Sequence, residues 1–304
     1  MIHHPDRVEA APPLATGPDR PVHLCLVQPP GYIHSGALLD PLVLFQEQFE
    51  RAGARVTASH NTLVAGAVNY VFGAHLGFDP SLLDQHECVV VNLEQLGPDG
   101  APLSPSYLDL LRRATVVDYH PDNLPSYADG SGRVSLVRLG PVAHLGTAAP
   151  PLEERDIDLL FVGTLTQRRL EVLRAIERAG REVAVLQRPL YGPERDDLLR
   201  RARGVLNVSA YGASRFEQVR ASLVLSCGTP LVSEARSWTS PTDRRFLPLV
   251  HWFDPDRPQD FFQGFFGSAQ YFQESREMLR SWRSEDVDAD YRALLSAEAA
   301  SVPA

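Results

Sequence analysis

The sequence has few cysteines, no long apolar segment and no acidic metal motif, and each absence argues against a class of protein. Cys25, Cys88 and Cys227 are odd in number, far apart and set in apolar surroundings, which favours buried reduced thiols over a disulfide framework or a zinc site. No run of about 18 apolar residues occurs, so no membrane-spanning helix is expected. No D-x-D motif stands at the end of a predicted strand, so no metal is expected.

Basic residues are also too few for a protein with a general affinity for nucleic acid. The chain has 29 Lys and Arg against 38 Asp and Glu, a formal net charge of −9, whereas phosphate contacts require clustered basic side chains. A local anion site remains compatible with this balance. The length of 304 residues and the hydrophobic share of 44% predict two globular domains with a substantial core.

Alternating strand and helix patterns indicate two α/β units. Apolar runs end at turn-forming residues and are followed by helical patterns, which predicts open parallel sheets. Prolines and mixed charge between the units are typical of a linker. The predicted organisation is a disordered tail at 1–21, a first Rossmann-like domain at 22–145, a linker at 146–157, a second Rossmann-like domain at 158–258 and C-terminal helices at 259–304.

The stretch from Gly204 to Glu234 contains one complete winding of the second unit. An apolar run as far as Val208 predicts a strand, and a helix is predicted from Ser214, because Glu217 stands three positions later at the capping-box spacing. In such a winding, ligands bind where the carboxyl end of a strand meets the N-terminus of the next helix.

A second candidate for ligand contact follows the strand that ends at Val162. Gly163 lets the backbone turn closely, and Thr166 is the predicted N-cap of the next helix. Arg168 and Arg169 then lie in the first turn, where the helix dipole disfavours cations by about 0.3 to 1 kcal/mol each. A bound anion would reverse that sign, whereas two solvated surface arginines are the alternative.

Short motifs over about residues 22 to 240 resemble those of bacterial glycosyltransferases of the GT-B type and occur in the same order as in that group. The resemblance rests on Gly31-Tyr32-Ile33-His34-Ser35, Asn69, Gly73-Ala74-His75, Asn92-Leu93-Glu94-Gln95, Asp118-Tyr119, Asn123, Phe161-Val162-Gly163-Thr164, Arg168-Arg169, Tyr191-Gly192, Arg195-Asp196, Asn207, Tyr211, Phe216-Glu217, Arg220, Gly228 and Ser233-Glu234. It implies two Rossmann-like domains facing a cleft, with a nucleotide sugar bound by the second. It also implies that Glu217 holds the ribose. The better-known retaining families carry a second glutamate where this chain has Leu223, so the stereochemical course stays open.

The predicted donor-binding set combines the resemblance with position in the fold. Its members are Gly163, Thr164, Arg168, Arg169, Tyr211, Glu217, Arg220, Gly228 and Thr229. Each has a structural alternative. Glu217 and Arg220 have the i, i+3 spacing of a surface ion pair, Gly228 and Thr229 stand in a tight turn, and Tyr211 can anchor a loop.

The acceptor side is predicted to come from the first domain. An inverting transfer needs a base near the acceptor hydroxyl. Glu94, His34 and Asp118 each follow a predicted strand and are therefore expected at the cleft edge. We rank Glu94 and His34 first. Asp118 has a capping role as its alternative.

These observations predict a cytoplasmic glycosyltransferase that uses a nucleoside-diphosphate sugar, requires no further cofactor and binds no nucleic acid. The acceptor is unidentified: a small molecule, a peptide or a glycan. Two alternatives remain open at this point. One is a sugar-nucleotide epimerase or hydrolase with the same donor cleft, and the other is a non-catalytic domain that binds a nucleotide or a partner.

Overall fold

The computed structural model describes residues 21–98, 100, 103–129, 133–146, 149–186, 188–210, 215–235 and 240–300, with side chains as far as residue 296. The predicted disordered tail lies almost entirely outside these residues. Within them, the chain forms two parallel β-sheets, each flanked by helices. The predicted two-domain α/β fold is confirmed.

The first domain contains a six-stranded sheet. In the order β2-β1-β3-β4-β5-β6, its strands are all parallel. The bounds are β1 Val22–Leu26, β2 Val56–His60, β3 Val68–Phe72, β4 Cys88–Asn92, β5 Thr115–Asp118 and β6 Val134–Leu136. Its helices are α1 Leu39–Arg51 and α2 Pro105–Arg113. Central strands such as β4 are buried along their whole length, as continuous apolar runs in a parallel sheet require.

The second domain contains a five-stranded sheet in the order β11-β10-β9-β7-β8. These strands are also parallel. The bounds are β7 Ile157–Phe161, β8 Val183–Val185, β9 Ala202–Asn207, β10 Leu231–Glu234 and β11 His251–Phe253. The helices are α3 Gln167–Arg178, α4 Pro193–Arg201, α5 Gln218–Ser226 and α6 Pro241–Arg244. Because the strands are parallel, their carboxyl ends share one edge, where loops bind ligands.

The tail forms three helices, α7 Pro258–Phe262, α8 Ala269–Arg283 and α9 Asp288–Ala300. The last of these returns to the first domain. Tyr291 is fully buried, with its ring 5.0 Å from that of Phe45 and 6.0 Å from that of Phe49 on α1. Asp290 accepts two hydrogen bonds from the guanidinium of Arg138, at 2.9 and 3.0 Å. The aromatic contacts bury apolar area and thereby hold α9 on α1.

Buried polar contacts join the two domains and fix the cleft between them. Arg195 on α4 donates two hydrogen bonds of 2.8 Å to the carboxylate of Asp40 on α1. A second contact links His120, which follows β5, to Asp243 on α6, with Nε2 and Oδ2 3.1 Å apart. Breaking a buried ion pair by removing one partner typically costs about 3 to 5 kcal/mol. The relative position of the domains is therefore strongly specified.

No helix in the described ranges combines the length and the apolar composition that crossing a membrane requires.

Candidate active site in the interdomain cleft

A cavity of about 340 Å³ opens where the carboxyl ends of the second sheet face the first domain. Its lining is His34, Gly163, Thr164, Leu165, Val185, Leu186, Arg188, Pro189 and Tyr191. The predicted residue His34 stands on the first-domain side, with Nδ1 3.0 Å from the hydroxyl oxygen of Tyr191. Gly36 lets Tyr191 pack against this segment, because a Cβ at position 36 would lie only 2.7 Å from the Tyr191 ring.

Gly163 borders this cavity beside two guanidinium groups. Its φ of +147° lies in a region that side chains disfavour. A Cβ at this position would lie 3.4 Å from Nη1 of Arg169 and 3.7 Å from Nη2 of Arg220. Three residues of the predicted donor-binding set therefore meet at the end of β7, and glycine keeps the approach to both cations open.

Arg169 is a buried cation with neutral hydrogen-bond partners. Its Nε donates to the carbonyl of Val208 at 2.8 Å and its Nη1 to the carbonyl of Thr164 at 2.7 Å. Burial, followed by repulsion from Arg220, lowers the pKa of Arg169 to about 10. Arg220 in turn donates to the amide oxygen of Asn207 at 2.9 Å. Among the described residues neither arginine forms an ion pair. The charges of Glu217 and Glu234 act on Arg169 without direct contact and raise its pKa, and a bound anion would add a countercharge in contact with the guanidinium groups.

Arg168 has a different environment. It forms an ion pair with Glu234, whose side chain is 1% exposed, and Nη1 donates to the carbonyl of Ser209 at 2.9 Å. The backbone N–H of Ser209 also donates to Glu234, at 2.7 Å. Of the two arginines predicted in the first turn of α3, Arg169 is thus the one that faces Gly163. Thr166 is confirmed as the N-cap, since its hydroxyl accepts from the N–H of Arg169 at 3.3 Å.

Glu217 is the N-cap residue of α5, which begins at Gln218 and not at Ser214 as predicted. The first domain forms hydrogen bonds with the backbone just before Glu217. Gln95 donates to the carbonyls of Arg215 and Phe216 at 3.2 and 3.3 Å and accepts from the N–H of Arg215 at 3.1 Å. These contacts hold the segment out of the helix. Ser214 lies outside the described residues, as does the predicted Tyr211.

The carboxylate of Glu217 remains available for a ligand. It makes no cap hydrogen bond, and within the described part of the chain no ion pair links it to Arg220. The ion pair that was the structural alternative for these two residues is not formed, because Arg220 donates to Asn207 instead. Glu217 therefore stands half-buried near Arg169, whose pKa its charge raises, and its carboxylate has no hydrogen-bond or ion-pair partner among the described residues.

Glu94 lies across the cleft from Glu217. It follows β4, and its side chain is 28% exposed. Burial, and secondarily repulsion by Glu217, raise the pKa of Glu94 to about 7. Its Oε1 lies 3.5 Å from Nε2 of His75, whose own pKa is lowered by burial. A neutral imidazole offers little countercharge, so Glu94 can take up or release a proton near neutral pH, as general acid–base catalysis requires.

Asp118 is placed away from the cleft surface, which contradicts its predicted catalytic role. The residue is fully buried. Its two oxygens accept from the side chains of Asn92, Asn123 and Tyr127 at 2.8, 2.8 and 2.9 Å and from the N–H of His120 at 2.9 Å. With its hydrogen-bonding capacity occupied in this way, Asp118 organises the loops after β4 and β5.

Gly228 and Thr229 do not join the other predicted donor residues. They lie between the C-terminus of α5 and the start of β10, at the amino-terminal edge of the sheet. The Thr229 hydroxyl is fully buried, donates to the carbonyl of Leu199 at 2.7 Å and accepts from Arg155 at 3.1 Å. Both residues close a turn, which was the structural alternative for them.

Sequence reasoning missed the residues that connect the domains at this site. Tyr191 appears in the motif comparison, but nothing in its spacing indicates the contact with His34. His34 and Tyr191 are 157 positions apart and Gln95 and Arg215 are 120 apart, and no sequence pattern indicates either pairing. Among the described residues no group of three His, Cys, Asp or Glu is placed to hold a metal ion.

Comparisons with known proteins agree with this architecture. No family model and no characterised protein matches the chain by sequence. Among solved structures, it is similar to AviGT4, a glycosyltransferase involved in avilamycin A biosynthesis, with 16% identity and a TM-score of 0.56 over 91% of this chain and 99% of that one. It is also similar to WaaG, a glycosyltransferase involved in lipopolysaccharide biosynthesis, with 11% identity and a TM-score of 0.53 over 91% and 99%.

A third similar structure is the UDP-forming α,α-trehalose-phosphate synthase from Burkholderia xenovorans, with 12% identity and a TM-score of 0.52 over 90% of this chain and 79% of that one. At such low identity the likeness establishes architecture alone. The three proteins share two α/β domains around a cleft with this chain. The protein therefore has the GT-B fold.

Proposed function

We propose that the protein is a glycosyltransferase that transfers a sugar from a nucleoside-diphosphate donor to an acceptor hydroxyl. The observation that carries this proposal is the convergence of Arg169 and Arg220 on Gly163, without carboxylate partners among the described residues. A diphosphate in this space would relieve the repulsion between the two cations. Guanidinium groups are well suited to this task, because they donate two parallel hydrogen bonds to phosphate oxygens.

The donor side of the reaction follows from these contacts. Gly163 and Thr164 let the diphosphate approach the end of β7, and the two arginines stabilise the charge that develops as the nucleoside diphosphate departs. The unpartnered carboxylate of Glu217 accepts hydrogen bonds from ribose hydroxyls. Tyr211 remains a prediction for a contact with the base or the sugar. No cofactor other than the donor is invoked.

The acceptor binds against the first domain, opposite the donor. As the acceptor oxygen forms its bond to the anomeric carbon, the bond from that carbon to the diphosphate oxygen breaks and the hydroxyl proton passes to Glu94. A pKa of about 7 suits a group that accepts this proton near neutral pH. His34, at the mouth of the cavity, orients the acceptor. The fixed interdomain geometry contributes by holding both substrates in reacting positions.

The compartment and the absence of nucleic acid are proposed on chemical grounds. Cys25, Cys88 and Cys227 are unpaired and buried, which fits a reducing environment such as the cytoplasm. The formal net charge of −9 disfavours a general attraction to nucleic acid.

A thermal-shift screen against nucleoside diphosphates tests the donor site directly. A ligand at 100 times its Kd raises the free energy of unfolding by about 2.7 kcal/mol. The nucleoside diphosphate whose base fits the donor site should therefore give the largest rise in Tm. Arg220→Ala should abolish that rise. Arg174→Ala removes an exposed arginine from α3 and should retain it.

Turnover is then measured with the matching nucleotide sugar, with and without candidate acceptors. Formation of a glycosylated acceptor that requires Glu94 and Arg220 supports the proposal. Free sugar or an isomerised nucleotide without acceptor would indicate a hydrolase or an epimerase. Absence of any nucleotide-dependent rise in Tm, or a rise that Arg220→Ala leaves unchanged, would refute the donor site.

A further inference from the structure

A second cavity of about 580 Å³ lies outside the cleft, between the linker and α8. It shares no lining residue with the cleft cavity. Four arginines line it, namely Arg155, Arg276, Arg280 and Arg283, and Glu153 is its one carboxylate-bearing lining residue. Pro150, Pro151, Leu152 and Leu279 supply an apolar wall. This concentration of positive charge stands out in a chain with a formal net charge of −9.

Three of the four arginines form a stripe on α8. Arg276, Arg280 and Arg283 stand at positions i, i+4 and i+7 and are exposed, so each is the helical neighbour of the next. Like charges at such spacings destabilise a helix by about 0.2 to 0.5 kcal/mol for each pair. Arg280 and Arg283 lie in the last turn of α8, where the helix dipole favours cations and offsets this cost. The helix dipole does not supply the anionic contact that guanidinium groups at a cavity can make.

Among the described residues, a carboxylate neutralises only one of the three arginines of this stripe. Arg276 pairs with Glu153. Among the described residues, Arg280 and Arg283 have no acidic partner, and Nε of Arg280 donates to the carbonyl of Arg276 at 3.3 Å. The nearby glutamates of α8, Glu274 and Glu277, accept from the amides of glutamines instead. Two guanidinium groups are thus left facing the cavity.

The fourth arginine lies beneath the stripe. Arg155 is 3% exposed and donates to the carbonyls of Pro150, Ala202 and Gly228 at 3.1, 2.9 and 2.9 Å and to the hydroxyl of Thr229 at 3.1 Å. None of these partners carries a charge. Burial is the first cause that lowers the pKa of Arg155 to about 10, and Arg283 lowers it further. Nη2 of Arg283 also lies 3.1 Å from the position of a Cβ on Gly228, directly beside the carbonyl that Arg155 binds.

We infer that this cavity is a binding site for a phosphate-bearing ligand with at least two negative charges. Guanidinium forks bind phosphate oxygens in pairs and remain charged at every physiological pH. The volume lies within the range of about 300 to 1,000 Å³ that small-molecule sites occupy. Such a ligand would compensate Arg280, Arg283 and the buried Arg155 together, while its carbon part packs against the proline and leucine wall. The ligand is either a soluble phosphorylated molecule or the headgroup of an anionic lipid.

Calorimetric titration with inorganic pyrophosphate tests the site, in protein that carries Arg220→Ala so that the cleft does not compete. We expect binding that the double variant Arg280→Ala/Arg283→Ala weakens by about tenfold or more, because each charge-assisted hydrogen bond contributes on the order of a tenfold change in affinity. The matched control is Arg174→Ala/Arg178→Ala, which removes two exposed arginines at i, i+4 from α3. It should change the affinity by less than about twofold, as surface charges remote from a site do.

Co-sedimentation with vesicles of phosphatidylcholine and phosphatidic acid forms the second arm. Pyrophosphate binding that depends on Arg280 and Arg283 identifies a soluble ligand class, and vesicle binding with the same dependence and no pyrophosphate binding identifies a lipid headgroup. Arg280→Lys/Arg283→Lys should bind more tightly than the alanine double variant and less tightly than the wild-type residues, since lysine keeps the charge without the guanidinium fork. The inference is overturned if neither probe distinguishes the 280/283 variant from the control. Because the site is remote from the cleft, that result would leave the donor site untouched.

Discussion

Replacing Glu94 with glutamine should stabilise the protein by an amount that grows with pH. The carboxylate sits half-buried against a neutral histidine and faces Glu217, and together these surroundings raise its pKa from 4.5 to about 7. The ionised form is therefore disfavoured in the folded state relative to the unfolded chain. Glutamine has nearly the same shape and cannot ionise, so Glu94→Gln removes this penalty alone.

The sign and the size follow from proton linkage. Below about pH 4.5, Glu94 is protonated in both states and contributes no penalty. As pH rises through the interval from 4.5 to about 7, the unfolded state loses its proton first, so the free energy of unfolding of the wild type falls. Each pKa unit corresponds to 1.36 kcal/mol, and the difference in pKa amounts to at most about 3 kcal/mol, because solvent reaches part of the side chain.

Urea denaturation of both proteins at a series of pH values from 4.5 to 8 measures this difference. The free energy of unfolding of Glu94→Gln minus that of the wild type should rise across the series and level off above pH 7. Glu50→Gln makes the same chemical change on an exposed face of α1 and serves as the matched control. If the difference between Glu94→Gln and wild type stays constant from pH 4.5 to 8, the burial and repulsion assigned to Glu94 are wrong.

Three further outcomes are expected. Glu217→Gln removes the repulsion that helps to raise the pKa of Glu94, so the midpoint of the pH–rate profile should move to lower pH; an unchanged midpoint would show that the two carboxylates do not interact. Gly163→Ala forces a side chain into a φ of +147° beside two guanidinium groups, which should cost about 1 to 3 kcal/mol and weaken nucleoside-diphosphate binding in calorimetry. The control is Gly180→Ala, where φ is +87° and a Cβ would meet no other atom within 4 Å. It should lower the free energy of unfolding but leave the affinity for the nucleoside diphosphate unchanged. Asp40→Asn leaves Arg195 with Asp196 as its remaining carboxylate partner and should destabilise the protein by about 2 kcal/mol in urea denaturation, whereas the exposed substitution Asp197→Asn should cost far less.

Local signals in the sequence predicted most of the architecture. Apolar β-branched runs identified β1, β4 and β7, and Thr166 identified the start of α3. The strand Val68–Phe72 was not predicted, because Asn69 interrupts its apolar run. In the structure the Asn69 side chain is fully buried and bonds the backbone at Val64, Ala67 and Glu87. A polar residue satisfied in this way has no signature in hydrophobic periodicity.

The site could be predicted from the sequence only where its residues are close together in one strand–turn–helix unit. Gly163 and Arg169 are close in sequence, and their proximity follows from a strand, a turn and a helix. Asp118 shows the limit of this reasoning. Its position at the end of a strand is correct, but its burial depends on side chains from two other segments, Asn92 on β4 and Asn123 and Tyr127 after β5. The helix start at Gln218 likewise depends on Gln95 of the other domain. Long-range contacts of this kind are set by tertiary structure and override local capping signals.

The return of α9 to α1 has a consequence for how the polypeptide is made. Phe45 and Phe49 belong to the earliest helix of the first domain, yet Tyr291, which covers them, leaves the ribosome only after the whole second domain has been translated. Until then this aromatic patch stays open to water, and nascent chains with uncovered apolar surface are prone to aggregate. A ribosome-bound first domain should therefore depend on chaperones, and release from them should coincide with the arrival of residue 291.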